Sequence, residues 1–101
     1  MNLGKIQGLF VDLENYLKKY VDNSIRASYR IVVDTVEILS SELSDDVKRQ
    51  TVICNYKKLF PGKGALSEFY VWDNDFETRK NLNKPFESIH NELWLLVKDY
   101  I

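Results

Sequence analysis

Hydrophobic positions recur at helical spacing over the first 43 residues. In the first segment, gaps of three and four place six apolar side chains on one helix face, namely Leu3, Ile6, Phe10, Leu13, Leu17 and Tyr20. The second segment repeats this spacing at Ile25, Tyr29, Val32, Val36, Leu39 and Leu43. Residues 22–24 separate the two segments and offer side-chain oxygens that can cap the second one. The pattern predicts helices over residues 2–22 and 24–43.

Two further helices are predicted from their start and stop signals. Ser44 followed by two acids is typical of a helix start, and Pro61 with Gly62 ends that helix near residue 60. Its apolar pattern is less regular; one line contains Val47, Thr51 and Cys54, with Val52, Tyr56 and Leu59 beside it. On that line Cys54 is expected to be a small core residue.

The last helix is expected over residues 83–101. Asn83 is the predicted cap, Pro85 lies in the first turn, and the predicted buried stripe is Phe86, Ile89, Leu93, Leu96 and Tyr100. Before it, residues 65–72 favour an extended or single-turn linker, and Asp73 is placed to cap a short helix from Phe76 to about Asn81. Together these elements predict an all-α fold, a single-domain antiparallel bundle of four main helices over residues 1–101, with a short irregular element before the last helix.

Composition narrows the classes of function. The chain has 101 residues, with 14 Lys and Arg against 15 Asp and Glu, so its net charge of −1 argues against a general nucleic-acid-binding surface. A hydrophobic content of 45% suffices for one core without disulfide or metal staples. No apolar run approaches the roughly 20 residues of a membrane span, and no signal peptide is evident, so we expect a cytoplasmic protein.

Catalytic and metal-binding motifs are lacking. His90 is the single histidine and is expected on a helix flank as an ordinary surface imidazole, and Cys54 is the single cysteine. The run that begins at Asp73 resembles a calcium loop, but Thr78 and Lys84 occupy the positions that require glycine and glutamate. We therefore expect no catalytic, cofactor or metal site, and no enzyme.

One segment combines acids with aromatic side chains more densely than helix capping alone explains. Trp and Tyr supply buried contact area at protein interfaces, while charges steer and select the partner. The predicted partner-binding residues are Glu68, Tyr70, Trp72, Asp73, Asp75 and Glu77. The alternative is that the aromatic residues among them complete the core.

The segment Leu59-Phe60-Pro61-Gly62-Lys63-Gly64-Ala65-Leu66-Ser67-Glu68-Phe69-Tyr70-Val71-Trp72-Asp73, placed before a final amphipathic helix, resembles small bacterial immunity-type proteins. Such proteins are encoded beside a secreted or contact-delivered toxin and neutralise it by binding. The resemblance covers the C-terminal half of the chain. It implies that the partner is a protein, and a basic toxin domain is one such partner. The alternative function is a structural or regulatory helical module that homodimerises, and a small enzyme ranks third.

Overall fold

The computed structural model describes residues 1–101 and contains four α-helices and no strand. The helices are α1 (Leu3–Leu17), α2 (Arg26–Ser40), α3 (Asp45–Leu59) and α4 (Phe76–Val97), and 3₁₀ turns occupy Ala65–Glu68 and Lys98–Tyr100. Helix accounts for 73% of the chain, against about one-third in an average globular protein. The predicted all-α class and the four main helices are confirmed.

Helix α1 is the central element, because it packs against both α2 and α4, while α3 packs mainly against α2. Two hydrogen bonds show the relative direction of α1 and α4. The N-terminal amine of Met1 donates to the Tyr100 hydroxyl at 2.6 Å, and the Tyr16 hydroxyl donates to the Leu82 carbonyl at 2.8 Å. The two helices are therefore antiparallel, with the beginning of one beside the end of the other.

The buried core contains most of the predicted stripes. From α1 it takes Ile6, Leu9, Phe10, Leu13, Tyr16 and Leu17, and from α2 and its start Ile25, Val32 and Leu39. Helix α4 contributes Phe86, Ile89, Leu93 and Val97. The prediction was wrong for Tyr100, which is 47% exposed, since α4 ends at Val97 and the chain turns into a 3₁₀ segment there. Leu43 is likewise exposed because α2 ends at Ser40.

Helix α3 buries a different face from the one that carries Cys54. Its core residues are Val52, Tyr56 and Leu59, at spacings of four and three, whereas Cys54 is exposed. The prediction of Cys54 as a core residue is wrong. The adjoining side chain Asn55 instead donates to the buried hydroxyl of Thr35 at 2.8 Å, which ties α3 to α2.

The helix starts follow the predicted caps only in part. Ser44 caps α3, because its hydroxyl accepts a hydrogen bond from the Val47 amide. Residues 22–24 do not cap α2, whose first turn follows Ile25 without a side-chain cap. The Asp22 carboxylate instead accepts from the amide and hydroxyl of Ser24, which bends the connection after α1. Those two hydrogen bonds are the main reason why the pKa of Asp22 is lowered.

Helix α4 is longer than predicted, since the expected short helix and the last helix are one element. Pro85 lies inside it, where the missing N–H leaves the carbonyl four residues earlier without its usual partner. That carbonyl belongs to Asn81, and the Tyr16 hydroxyl donates to the carbonyl of the next residue, Leu82. Burial, with Tyr20 and Glu87 nearby, raises the pKa of Tyr16 to about 12, so the phenol stays protonated and donates.

Leu93 lies at the centre of the α4 stripe and is fully buried, whereas Leu95 on the same helix is 61% exposed. Leu93→Ala should lower the free energy of unfolding by about 2–5 kcal/mol, because truncation leaves a cavity. Leu95→Ala should change it by no more than about 0.5 kcal/mol. Urea denaturation of both variants checks the prediction, and equal losses in the two variants would contradict the stripe.

Candidate functional site

Two large aromatic side chains stand out from the surface where α4 begins. Trp72 is 68% exposed and Phe76 is 62% exposed. The Arg79 guanidinium carbon lies 4.4 Å from the Trp72 ring centroid and 5.4 Å from that of Phe76. Such cation–π contacts hold the two rings beside one cation. We call Trp72, Phe76 and Arg79, with the acids Asp73, Asp75 and Glu77, the Trp72 patch.

The backbone of the patch is shaped by aspartate side chains. Asp73 Oδ1 accepts from the Asp75 amide at 2.9 Å, which forms an Asx turn. Asp75 then caps α4, accepting from both the amide and the hydroxyl of Thr78. These hydrogen bonds lower the pKa of Asp75, and the one from the Thr78 side chain has the largest effect. The Asp75 carboxylate is therefore ionised at neutral pH, as a helix N-terminus favours.

Asn83 anchors the segment that leads into the patch. Its side chain is 3% exposed and contacts both backbone polar groups of Val71. Asn83 Oδ1 accepts from the Val71 amide, and Nδ2 donates to the Val71 carbonyl, each at 2.8 Å. Nδ2 also donates to the Arg79 carbonyl at 2.8 Å. The predicted helix cap at Asn83 is wrong, because this residue is an interior clamp and Asp75 is the cap.

Side chains of this segment alternate between core and surface, as in an extended strand. Phe69 packs against Phe86 at a ring-centroid distance of 5.1 Å and against Tyr16 at 6.2 Å. Tyr70 is 54% exposed and Trp72 more so. The alternative that Tyr70 and Trp72 complete the core is therefore wrong, while Phe69 does pack on the core.

The six predicted residues do not form one cluster. Trp72, Asp73 and Asp75 come together around Arg79, whose Nη1 donates to the Asp73 carbonyl at 3.2 Å. Glu77, in the first turn of α4, is exposed and has no ion-pair partner. Glu68 and Tyr70 instead line a separate groove of about 470 Å³ with Tyr20, Asp22, Ser24, Ile25, Gly64, Ala65, Phe69 and Val71.

Sequence reasoning missed Arg79 and Asn83 as parts of the site. The pair Arg79-Lys80 is typical of a solvated helix face, but a helix that starts at Phe76 places Arg79 one turn after that ring. An asparagine inside a helix is a weak signal, since it is far commoner at a cap or turn. Only the folded chain shows that residue 71 lies within reach of it.

His90 lies in a second aromatic environment, between α3 and α4. Its ring stacks on Phe60 with centroids 3.9 Å apart and an interplanar angle of 8°. Its Nε2 lies 3.2 Å from the Tyr56 hydroxyl. The predicted ordinary surface imidazole is wrong, because His90 is half-buried and burial lowers its pKa. It makes no hydrogen bond to a serine, cysteine or carboxylate.

The remaining chemistry is sparse. No group of three or more histidine, cysteine, aspartate or glutamate side chains is placed to bind a metal ion. None of the helices has both the length and the apolar character needed to cross a bilayer. Comparison with family models, with curated proteins and with solved structures finds no match for this chain.

The Asn83 clamp predicts a stability difference between two asparagines of α4. Asn83→Ala should lower the free energy of unfolding by about 1–3 kcal/mol, because the amide and the carbonyl of Val71 lose their partners. Asn81→Ala, at an exposed position of the same helix, should change it by no more than about 0.5 kcal/mol. Urea denaturation of both variants tests this, and an Asn83→Ala loss no larger than that of Asn81→Ala would refute the clamp.

His90 predicts a loss of stability in acid. Its folded-state pKa lies below the ordinary value near 6.5. Above about pH 6.5 the neutral ring therefore makes its full contribution to the free energy of unfolding. The contribution is lost as the pH falls through the folded-state pKa, because the unfolded chain binds the proton more readily. Between about pH 8 and pH 5, wild type should lose more stability than His90→Gln. The NMR titration of the single imidazole provides the direct check, and a pKa above 6.5 would contradict the prediction.

Proposed function

We propose that this protein is a non-catalytic binding module that recognises a basic protein surface through the Trp72 patch. The observation that carries the proposal is the pair of adjacent rings, Trp72 and Phe76, which are 68% and 62% exposed. Tryptophan is among the residues that most often dominate binding energy at interfaces. An exposed tryptophan ring keeps apolar surface in contact with water, which is unfavourable, and a partner that covered the ring would remove this cost.

The charge around the patch favours a basic partner. Residues 66–78 contain four acids and no basic side chain: Glu68, Asp73, Asp75 and Glu77. The one adjoining guanidinium, that of Arg79, contacts the two rings and the Asp73 carbonyl. Acidic groups around an aromatic anchor accelerate encounters with a positively charged surface and reject acidic ones.

The finer form of the proposal is a bacterial immunity protein that acts in the cytoplasm. It rests on the resemblance of residues 59–73 to small immunity-type proteins. The segment of that resemblance ends in the Trp72 patch, and an inhibitor that works by occlusion needs a rigid exposed surface of this kind. The toxin domain that it neutralises would carry a basic face.

One observation favours the alternative, a homodimerising helical module. A second exposed apolar group lies at the C-terminal end of the chain, where four side chains are 46–61% exposed: Trp94, Leu95, Tyr100 and Ile101. Exposed apolar side chains that form a patch are typical of contact surfaces. In that case the mass of the protein in light scattering would rise with concentration without any second protein.

The proposal is tested with the protein products of the genes that flank this one. Each product is assayed for toxicity when expressed alone, and the binding of a toxic product is measured by surface plasmon resonance. Trp72→Ala should weaken binding by about thirtyfold or more, the loss of about 2 kcal/mol expected for a hot spot. Trp94→Ala is the matched control and should leave binding unchanged, since Trp94 lies outside the patch.

The charges are tested in the same assay with Glu77→Lys. Association should slow and become less sensitive to salt, whereas Glu37→Lys, an exposed acid of α2, should have no such effect. Asp75 is unsuitable for this test because it caps α4, so its reversal would also weaken the fold. If Trp72→Ala and Trp94→Ala weaken binding equally, or if no flanking product binds, the proposal fails.

A further inference from the structure

The extended segment over residues 69–73 has one backbone edge that is bonded to α4 and one that is unpaired. In an extended chain, the N–H and C=O groups of successive residues point to opposite sides. On the α4 side, both backbone groups of Val71 are bonded to the Asn83 side chain. The N–H and C=O groups of the flanking residues, Tyr70 and Trp72, make no hydrogen bond within the chain. We call this unpaired side of the segment the 70–72 edge.

A groove of about 470 Å³ runs beside the start of the segment, since residues 68–71 line it together with residues of the connection between α1 and α2. Its charged lining side chains are Asp22 and Glu68, and no lysine or arginine lines it. Glu68 is exposed and makes no ion pair. Arg26, whose charge contributes to the lowered pKa of Asp22, is exposed at the start of α2 and does not line the groove. The groove therefore presents unneutralised negative charge beside a strand edge.

We propose that the 70–72 edge binds an extended basic segment of the protein partner as an added strand. This inference rests on the proposed function, because it names the part of the basic partner that is recognised.

Backbone pairing supplies the contacts of the added strand. Unpaired strand edges are templates for a second chain, and main-chain hydrogen bonds give such pairing its affinity. Tyr70 and Trp72 are 54% and 68% exposed and lie on one face of the segment, so side chains of the added strand would pack beside both rings. An acidic strand could form the same backbone bonds, but Asp22 and Glu68 would repel it. The charge of the groove thus selects a basic strand.

The pairing is tested by amide hydrogen exchange of the intact protein, followed by NMR. The probe is a synthetic heptapeptide that alternates arginine with valine and is acetylated and amidated at its ends. With about nine-tenths of the protein bound, exchange of the Tyr70 and Trp72 amides should slow by about five- to tenfold. Exchange of the Val71 amide, which is already bonded to Asn83, should change by less than about twofold.

Matched probes and variants separate the roles of backbone and charge. A copy of the peptide that is N-methylated at its central residues cannot donate to the edge, and it should bind at least about tenfold more weakly. A copy with glutamate in place of arginine should be weakened by at least about tenfold as well, through repulsion by the groove. Glu68→Gln should weaken binding of the arginine peptide by about two- to fivefold, as expected for one exposed charge pair. Glu37→Gln, at an exposed acid of α2, should leave it unchanged.

Several results would overturn the added strand. The arginine peptide would show no saturable binding, would bind without slowing both amides, or would bind equally well when N-methylated or when glutamate replaces arginine. Equal effects of Glu68→Gln and Glu37→Gln would overturn the selection by charge. Slower exchange of the two amides at higher protein concentration without peptide would show that a second copy occupies the edge.

Failure of this inference is distinguishable from failure of the proposed function. A flanking gene product that depends on Trp72 for binding, but leaves the Tyr70 and Trp72 amides in fast exchange, would overturn the added strand alone. If no flanking product binds, the proposed function fails, and the peptide titration still decides whether the edge accepts a basic strand.

Discussion

The buried amide of Asn83 is the interaction on which the C-terminal half of the structure depends. The connection between α3 and α4 runs from residue 60 to residue 75 with only one 3₁₀ turn, and it forms no β ladder that would pair its backbone. Asn83 pairs with the amide and the carbonyl of Val71 as a neighbouring strand would, and with the carbonyl of Arg79. An unpaired backbone group at such a place would cost stability, so the clamp defines where the segment lies. The Asn83 side chain also donates to the carbonyl of Arg79, the residue whose guanidinium lies over the Trp72 ring.

Aromatic side chains of the core form a row of contacts that starts at this segment. Phe69 packs against Phe86, Phe86 lies 6.3 Å from Phe60, and Phe60 stacks on His90. One continuous cluster thus joins the segment behind the Trp72 patch to His90, between α3 and α4. The segment that leads into the Trp72 patch packs on this layer, and the patch itself has an acidic rim.

The sequence predicts what local periodicity determines. The stripes of α1 and α2, the Ser44 cap and the turn at Pro61 follow from spacing and from single-residue chemistry, and the structure contains them. The start of α4 does not follow, because Asn83 and Pro85 together are typical of a helix beginning. In the structure the helix continues through Pro85, and two tertiary contacts lie just before it, from Tyr16 to Leu82 and from Asn83 to Val71. Cys54 was misassigned for a similar reason, since the face of α3 that is buried depends on where α2 lies. The exposure of Trp72 also depends on long-range packing, which composition does not record.

Amide hydrogen exchange at residue 71 tests the central claim most directly. The Val71 amide donates to a buried side-chain oxygen, whereas the amides of Tyr70 and Trp72 have no acceptor within the chain. If Asn83 holds an ordered segment that presents Trp72, the Val71 amide exchanges slowly, at a rate close to that of the buried turns of α4, while its two neighbours exchange fast. A Val71 amide that exchanges as fast as that of Trp72 would show that the segment is not held, and the account of the patch as an ordered surface would be wrong.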